Sequence, residues 1–173
     1  LMGRRGSRAE YLALLQKLRK EIPGIAVRTT FIAGFPTETE EEHEALKAFL
    51  EEAKFENCGF FAYSREPDTP AYRLKGQVPA RVKERRVRAL YRTQQAISAA
   101  RLREYAGKRI RVLCDGIDYE RSCFVGRAPF QAYEIDGCVY FTAPRAETGK
   151  VYEVDIERAD AYDLYGTVKE NTL

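Results

Sequence analysis

Apolar residues recur at helical spacing from Tyr11 through Leu14, Leu15 and Leu18 to Ile22, and Pro23-Gly24 follows as a stop. Ser7 and Glu10 stand in front of that run as a capping box, each side chain satisfying a free backbone donor of the other residue, so a helix begins there. Ile25 to Ile32 reads as a buried strand, which Gly34-Phe35-Pro36 breaks. Thr39 and Glu42 repeat the capping box and open a second helix with the apolar stripe Leu46, Phe49, Leu50 and Ala53. Cys58 to Tyr63 is another short strand. Helix, strand, helix, strand at these lengths calls for a parallel sheet with crossover helices, yet two strands close neither a barrel nor a core. More of the same layer is therefore expected upstream, and Leu1-Met2-Gly3, with its methionine second, has the look of a chain interior.

Residues 64–79 carry Pro67, Asp68, Pro70, Gly76 and Pro79, a turn-rich connection. A long helix is predicted from Ala80 to about Tyr105, with Val87, Leu90, Tyr91, Ile97, Leu102 and Tyr105 on one side. Arg81, Lys83, Arg85, Arg86, Arg88, Arg92, Arg101 and Arg103 fall elsewhere and read as a solvated basic face. After Gly107 the period changes to two. Arg109–Leu113, Ser122–Val125, Val139–Phe141, Val151–Ile156 and Leu164–Val168 are five candidate strands between Gly- and Asp-containing turns, which suggests a small antiparallel barrel. The expected division is 1–79 for the α/β part, 80–103 for a basic linker helix and 104–173 for the barrel.

Composition changes this picture in three respects. At 173 residues and 45% hydrophobic the chain has the material for one ordinary domain or two small ones, which excludes a disordered chain. The net charge of +3 divides unevenly: residues 1–103 hold 20 basic and 13 acidic side chains, residues 104–173 hold 9 and 13. An acidic barrel is a poor binder of RNA phosphates. No apolar run approaches the roughly 18–20 residues that span a bilayer, and no signal peptide is recognised, so a soluble, cytoplasmic protein without a membrane partner is expected.

Cys58, Cys114, Cys123 and Cys138 lack CxxC-like spacing and read as small core residues, so no metal ligands are assigned. The single histidine, His43, lies in the acid-rich run Thr39-Glu-Glu-Glu-His-Glu and is expected on a solvated helix face. No histidine triad can form within the chain, and no catalytic residue is assigned.

Two stretches carry candidate chemistry. Arg28-Thr29-Thr30-Phe31-Ile32-Ala33-Gly34-Phe35-Pro36-Thr37-Glu38-Thr39 runs from a strand into a Gly-Pro turn and a capped helix, and ligands of α/β folds sit at such carboxyl ends. Gly34 and Pro36 could equally serve only the turn, with Glu38 favouring the helix dipole. Phe60-Phe61-Ala62-Tyr63-Ser64-Arg65-Glu66 ends the next strand and brings Tyr63 and Ser64 to the same rim; an aromatic strand followed by a polar turn is the plain alternative.

Together with Gln77-Val78-Pro79, the basic helix and the terminal barrel, these stretches resemble the radical S-adenosylmethionine methylthiotransferases over nearly the whole chain. Gly34-Phe35-Pro36-x-Glu38-Thr39 is similar to the family's Gly-Phe-Pro-Gly-Glu-Thr, with Thr37 at the usual glycine. Tyr63-Ser64 followed by Thr69-Pro70-Ala71 resembles its Tyr-Ser and Thr-Pro-Ala motifs, and the barrel resembles its OB-like TRAM domain. Glu134-Ile135-Asp136-Gly137 and Asp163-Leu164-Tyr165-Gly166 resemble the RimO-type branch, although the second could be a strand-end turn.

The resemblance implies the C-terminal portion of a partial TIM-like radical-SAM barrel followed by TRAM. It also implies an enzyme that inserts a methylthio group at an aspartate of the twelfth small-subunit ribosomal protein, with TRAM as the docking module and the ribosome as a possible partner. S-adenosylmethionine and two iron–sulfur clusters would be the cofactors. The CxxxCxxC cluster motif is missing from this sequence, so the chain alone is expected to be inactive. Arg28, Ile32, Gly34, Phe35, Glu38, Tyr63 and Ser64 are implied as cofactor-binding residues. A tRNA methylthiotransferase, with an acidic barrel counting against it, and a stand-alone RNA- or protein-binding module are the alternatives.

Overall fold

The computed structural model describes Gly3 and residues 5–169, and the chain divides into two compact units between Ile97 and Ser98. The first contains α1 (Arg8–Glu21), β1 (Arg28–Ala33), α2 (Glu40–Ala53), β2 (Asn57–Ala62), a 3-10 turn at Pro70–Arg73, and most of α3 (Ala80–Arg103). Both capping boxes form: Glu10 N–H donates to Ser7 Oγ at 3.3 Å and Glu42 N–H to Thr39 Oγ1 at 3.2 Å, with each glutamate accepting in return from the capping residue's N–H. Lys54, at φ 48°, ends α2 by turning left-handed while its N–H still reaches Leu50 O at 2.8 Å.

β1 and β2 pair in parallel, from Arg28 opposite Asn57 to Ala33 opposite Ala62. Alternation sends Phe31 and Phe60 to one face, where their rings stack at 6.1 Å against α2 and α3. Leu15, Leu50, Ala53, Phe55 and Leu90 complete this core, each large side chain contributing about 1.5–3 kcal/mol by leaving water. The apolar stripe of α1 is less buried than its spacing suggests, for only Leu15 is fully covered while Tyr11, Leu14 and Ile22 remain about half exposed. From α3, the Tyr91 hydroxyl donates to Phe60 O at 3.2 Å and accepts from Phe60 N–H, and Gln94 Nε2 donates to Phe55 O at 2.9 Å.

The second unit is a closed barrel of five strands, β3 (Arg109–Asp118), β4 (Cys123–Arg127), β5 (Val139–Thr142), β6 (Val151–Ala159) and β7 (Leu164–Thr167), in the order β3-β4-β5-β7-β6. Five strands were expected, but an all-antiparallel barrel was not correct: β7 inserts between β5 and β6 and runs parallel to β5, so the sheet is mixed. Alternation cannot signal this, because an inward-outward pattern is the same for either strand direction. Val112, Cys114, Val139, Phe141, Val154, Ile156 and Leu164 fill the interior. Gly126 and Gly166 let the wall close, since a Cβ on either would meet the main-chain oxygen of Leu113 or Asp155.

Three polar expectations need revising. His43 is 3% exposed rather than solvated, and Arg86 is 4% exposed rather than part of a wet basic face. Of the four cysteines only Cys114 is buried in a core, the others being half-buried, and all are free thiols.

Candidate functional site

The carboxyl ends of β1 and β2 lie side by side, because Tyr63 N–H continues the ladder by donating to Ala33 O at 2.9 Å. The Phe35 and Tyr63 rings meet edge to face at 5.2 Å just beyond. Gly34 sits at φ 75°, and the aliphatic stem of Lys83 from α3 occupies the space where a Cβ would stand. Lys83 Nζ then donates to Tyr63 O at 2.7 Å and lies 5.4 Å from the centre of the Tyr63 ring. One lysine thus ties both strand ends together.

Glu38 is the second fastening. Its Oε2 accepts from Gly34 N–H at 2.9 Å, folding the turn back on itself, and its Oε1 accepts from Arg86 Nη1 at 2.8 Å. Arg86 Nη1 also donates to Glu38 O, and its Nη2 pairs with Glu40 at 3.0 Å. The Arg86 side-chain bond holds the Glu40 carboxyl below the usual range.

These contacts sort the expected residues. Gly34, Phe35, Glu38 and Tyr63 come together, with Tyr63 buried and its hydroxyl left without a hydrogen-bond partner among the described residues. Ser64 is exposed and hydrogen-bonds Glu66. Ile32 lies one step before the rim on the open face of the sheet. Arg28 shares that face but starts the strand, roughly 13 Å from Ile32 at about 3.3 Å per residue.

Sequence reasoning missed Phe61, Lys83 and Arg86. Phe61 stands opposite Ile32 in register and is 61% exposed, so the two make an apolar strip facing away from the core. Lys83, Val87, Leu90, Gln94 and Ile97 follow a helical period, as do Arg86, Leu90 and Gln94, which was the available signal that these two cations are on the packed side.

His43 lies on the same α2 stripe as Leu46, Leu50 and Ala53. Burial lowers its pKa, although Glu40, Glu38 and Glu44 oppose that shift and Arg86 reinforces it. In the unfolded chain the imidazole titrates near about 6.5, so the unfolded state binds more protons below that pH. The stability contribution is therefore complete above about pH 6.5 and falls as the pH drops below it. Urea midpoints at pH 7.5 and 5.5 should diverge more for the wild-type chain than for His43→Leu; equal divergence would exclude His43 as the cause.

No three His, Cys, Asp or Glu side chains converge on a possible metal position among the described residues. Burial raises the pKa of all four thiols, that of Cys58 to about 12. An iron–sulfur cluster needs several thiolates at one place, and because no such group converges among the described residues these cysteines do not fit one. Among the described residues no helix is long and apolar enough to cross a membrane.

Residues 106–168 match the TRAM domain family. The chain is 43% identical over 169 residues to a protein of Lachnoclostridium phytofermentans named ribosomal protein uS12 methylthiotransferase RimO, covering 97% of this chain and 38% of that protein. Proteins of the same name from Roseiflexus sp. (48% identity; 91% of this chain, 34% of the relative) and Klebsiella pneumoniae (44%; 96% and 38%) align likewise. The chain is a homologue of the RimO methylthiotransferases. It spans little more than a third of the length of these relatives. The RimO likeness runs through both compact units, whereas the TRAM match is confined to the second.

Proposed function

We propose that this chain serves in a radical-SAM methylthiotransferase that modifies an aspartate of ribosomal protein uS12 in the cytoplasm. The observation that carries the reading is the alignment, over 97% of the chain, with a relative named for that activity. Residues 1–79 would be the end of the radical-SAM barrel, 80–103 a basic linker and 104–173 the substrate-docking TRAM domain. The barrel segment's 13 acidic against 9 basic side chains suit a basic ribosomal protein better than tRNA.

S-adenosylmethionine, with clusters held by other residues of the whole protein, would supply radical initiation and sulfur. This chain's part is positional. Ile32 and Phe61 offer a flat apolar strip of the kind an adenosine ring covers, and the unpartnered Tyr63 hydroxyl is a hydrogen-bonding group at the same rim. Gly34, Phe35 and Glu38 shape the turn beside it, while Ser64 and Arg28 lie on the exposed margins.

The test is a protein extended upstream to include a CxxxCxxC segment, reconstituted anaerobically and given uS12 or tRNA. A methylthio mass increase on a uS12 aspartate, seen only with the extended protein, is the expected result. Modification of tRNA instead would overturn the substrate assignment, and a stoichiometric cluster on the 173-residue chain alone would overturn the reading of its cysteines.

A further inference from the structure

On the outer face of the barrel, β3, the start of β6 and the turn after β4 enclose a cleft of about 280 Å³. Leu113, Ala128, Pro129 and Val151 give it apolar walls, and its polar side chains are Arg111, Arg127 and Gln131. All three offer hydrogen-bond donors.

Gln131 is 8% exposed, and its Oε1 accepts from Ala128 N–H at 2.8 Å. That bond fixes which end of the amide is which, so Nε2 is the atom left buried without an acceptor. A buried donor with no partner is costly, and an acceptor arriving from outside would relieve the cost. Arg127 is held by Asp115 at 2.8 Å and lies 4.9 Å from the centre of the Tyr133 ring, which immobilises the guanidinium while leaving other donors of its fork unused. Arg111 has no hydrogen-bond or ion-pair partner among the described residues, although Glu153 stands opposite it in the β3–β6 register.

We propose that this cleft receives a carboxylate side chain from a protein partner whose surrounding surface is basic. A planar carboxylate matches guanidinium and amide donors, and the apolar walls suit its methylene stem better than a fully hydrated phosphate. The wider barrel segment carries 13 acidic and 9 basic side chains, so it attracts a basic surface, and the cleft is a local inversion of that charge. A basic partner with one well-placed Asp or Glu satisfies both. Only the partner's basic character rests on the function proposed above.

The test is an NMR titration of the whole 173-residue chain at low salt with two blocked pentapeptides, Lys-Lys-Asp-Lys-Lys and Lys-Lys-Asn-Lys-Lys. The Asp peptide should bind about tenfold more tightly or better and shift the side-chain resonances of Arg111, Arg127 and Gln131. Arg111→Gln should weaken that preference. Gln131→Glu should abolish it, because it keeps the acceptor for Ala128 N–H and replaces the free donor with a carboxylate oxygen. Equal binding of the two peptides, or a preference that survives Gln131→Glu, would overturn the proposal. Acetate binding as tightly as the peptide, or inorganic phosphate displacing it, would also overturn it by assigning the cleft to a free small anion. Asp-dependent binding here alongside tRNA modification by the extended enzyme would overturn the uS12 assignment and leave the cleft assignment standing.

Discussion

Replacing Arg86 by methionine should destabilise the first unit by about 3–5 kcal/mol, the range for removing one partner of a buried ion pair. The side chain is 5% exposed and that of Glu38 15%, so water has little access to the carboxylate left behind. Methionine preserves much of the volume, which confines the loss to charge and hydrogen bonding. Two bonds to Glu38 disappear, to Oε1 at 2.8 Å and to the main-chain oxygen at 3.0 Å, along with the more exposed contact to Glu40. Urea unfolding followed by far-ultraviolet dichroism measures the change. Arg86→Met combined with Glu38→Gln should cost less than the two single changes added, because the double variant leaves no stranded charge. A loss below about 1 kcal/mol would make the pair no more valuable than a surface salt bridge.

Gly34→Val should cost about 2–5 kcal/mol from two independent sources. A β-branched residue at φ 75° is strained by about 1–3 kcal/mol, and its side chain must expel the Lys83 stem that fills the Cβ position. Displacing that stem also breaks the 2.7 Å bond to Tyr63 O, so both strand ends loosen together. Lys83→Ala in the same chain should recover the crowding part and none of the backbone strain. Thermal melts of the single and double variants separate the two sources; no recovery in the double variant would mean that Lys83 is not the obstacle. The resemblance implies Gly34 as a cofactor-binding residue, and the structure puts a neighbour from the chain itself, the Lys83 stem, at its Cβ position.

Much of the architecture was legible because its signals are local. The two capping boxes, the Pro23-Gly24 stop, the strand breaking at Gly34 and the change to a period of two after Gly107 each depend on a few adjacent residues. The parallel pairing of β5 with β7 was not legible, since it depends on where a strand 25 positions later inserts. His43 and Arg86 were misread for one common reason. Each is polar but lies on the packed stripe of its helix, where position outweighs residue type in deciding burial. For the candidate site, motif resemblance brought out Gly34, Phe35, Glu38 and Tyr63; helical period puts Lys83 on the packed side, but its seat against Gly34 depends on tertiary proximity, and the pairing of Phe61 with Ile32 on strand register.

The insertion of β7 between β5 and β6 also orders events during synthesis. β3, β4 and β6 can pair as they emerge from the ribosome, and β5 can join β4, but the seam between β5 and β6 stays open until Leu164–Thr167 is available. Until then a nascent chain displays two unsatisfied strand edges, the exposure that invites pairing with a neighbour or capture by a chaperone. The last of the five barrel strands to be made is the one that removes the aggregation hazard.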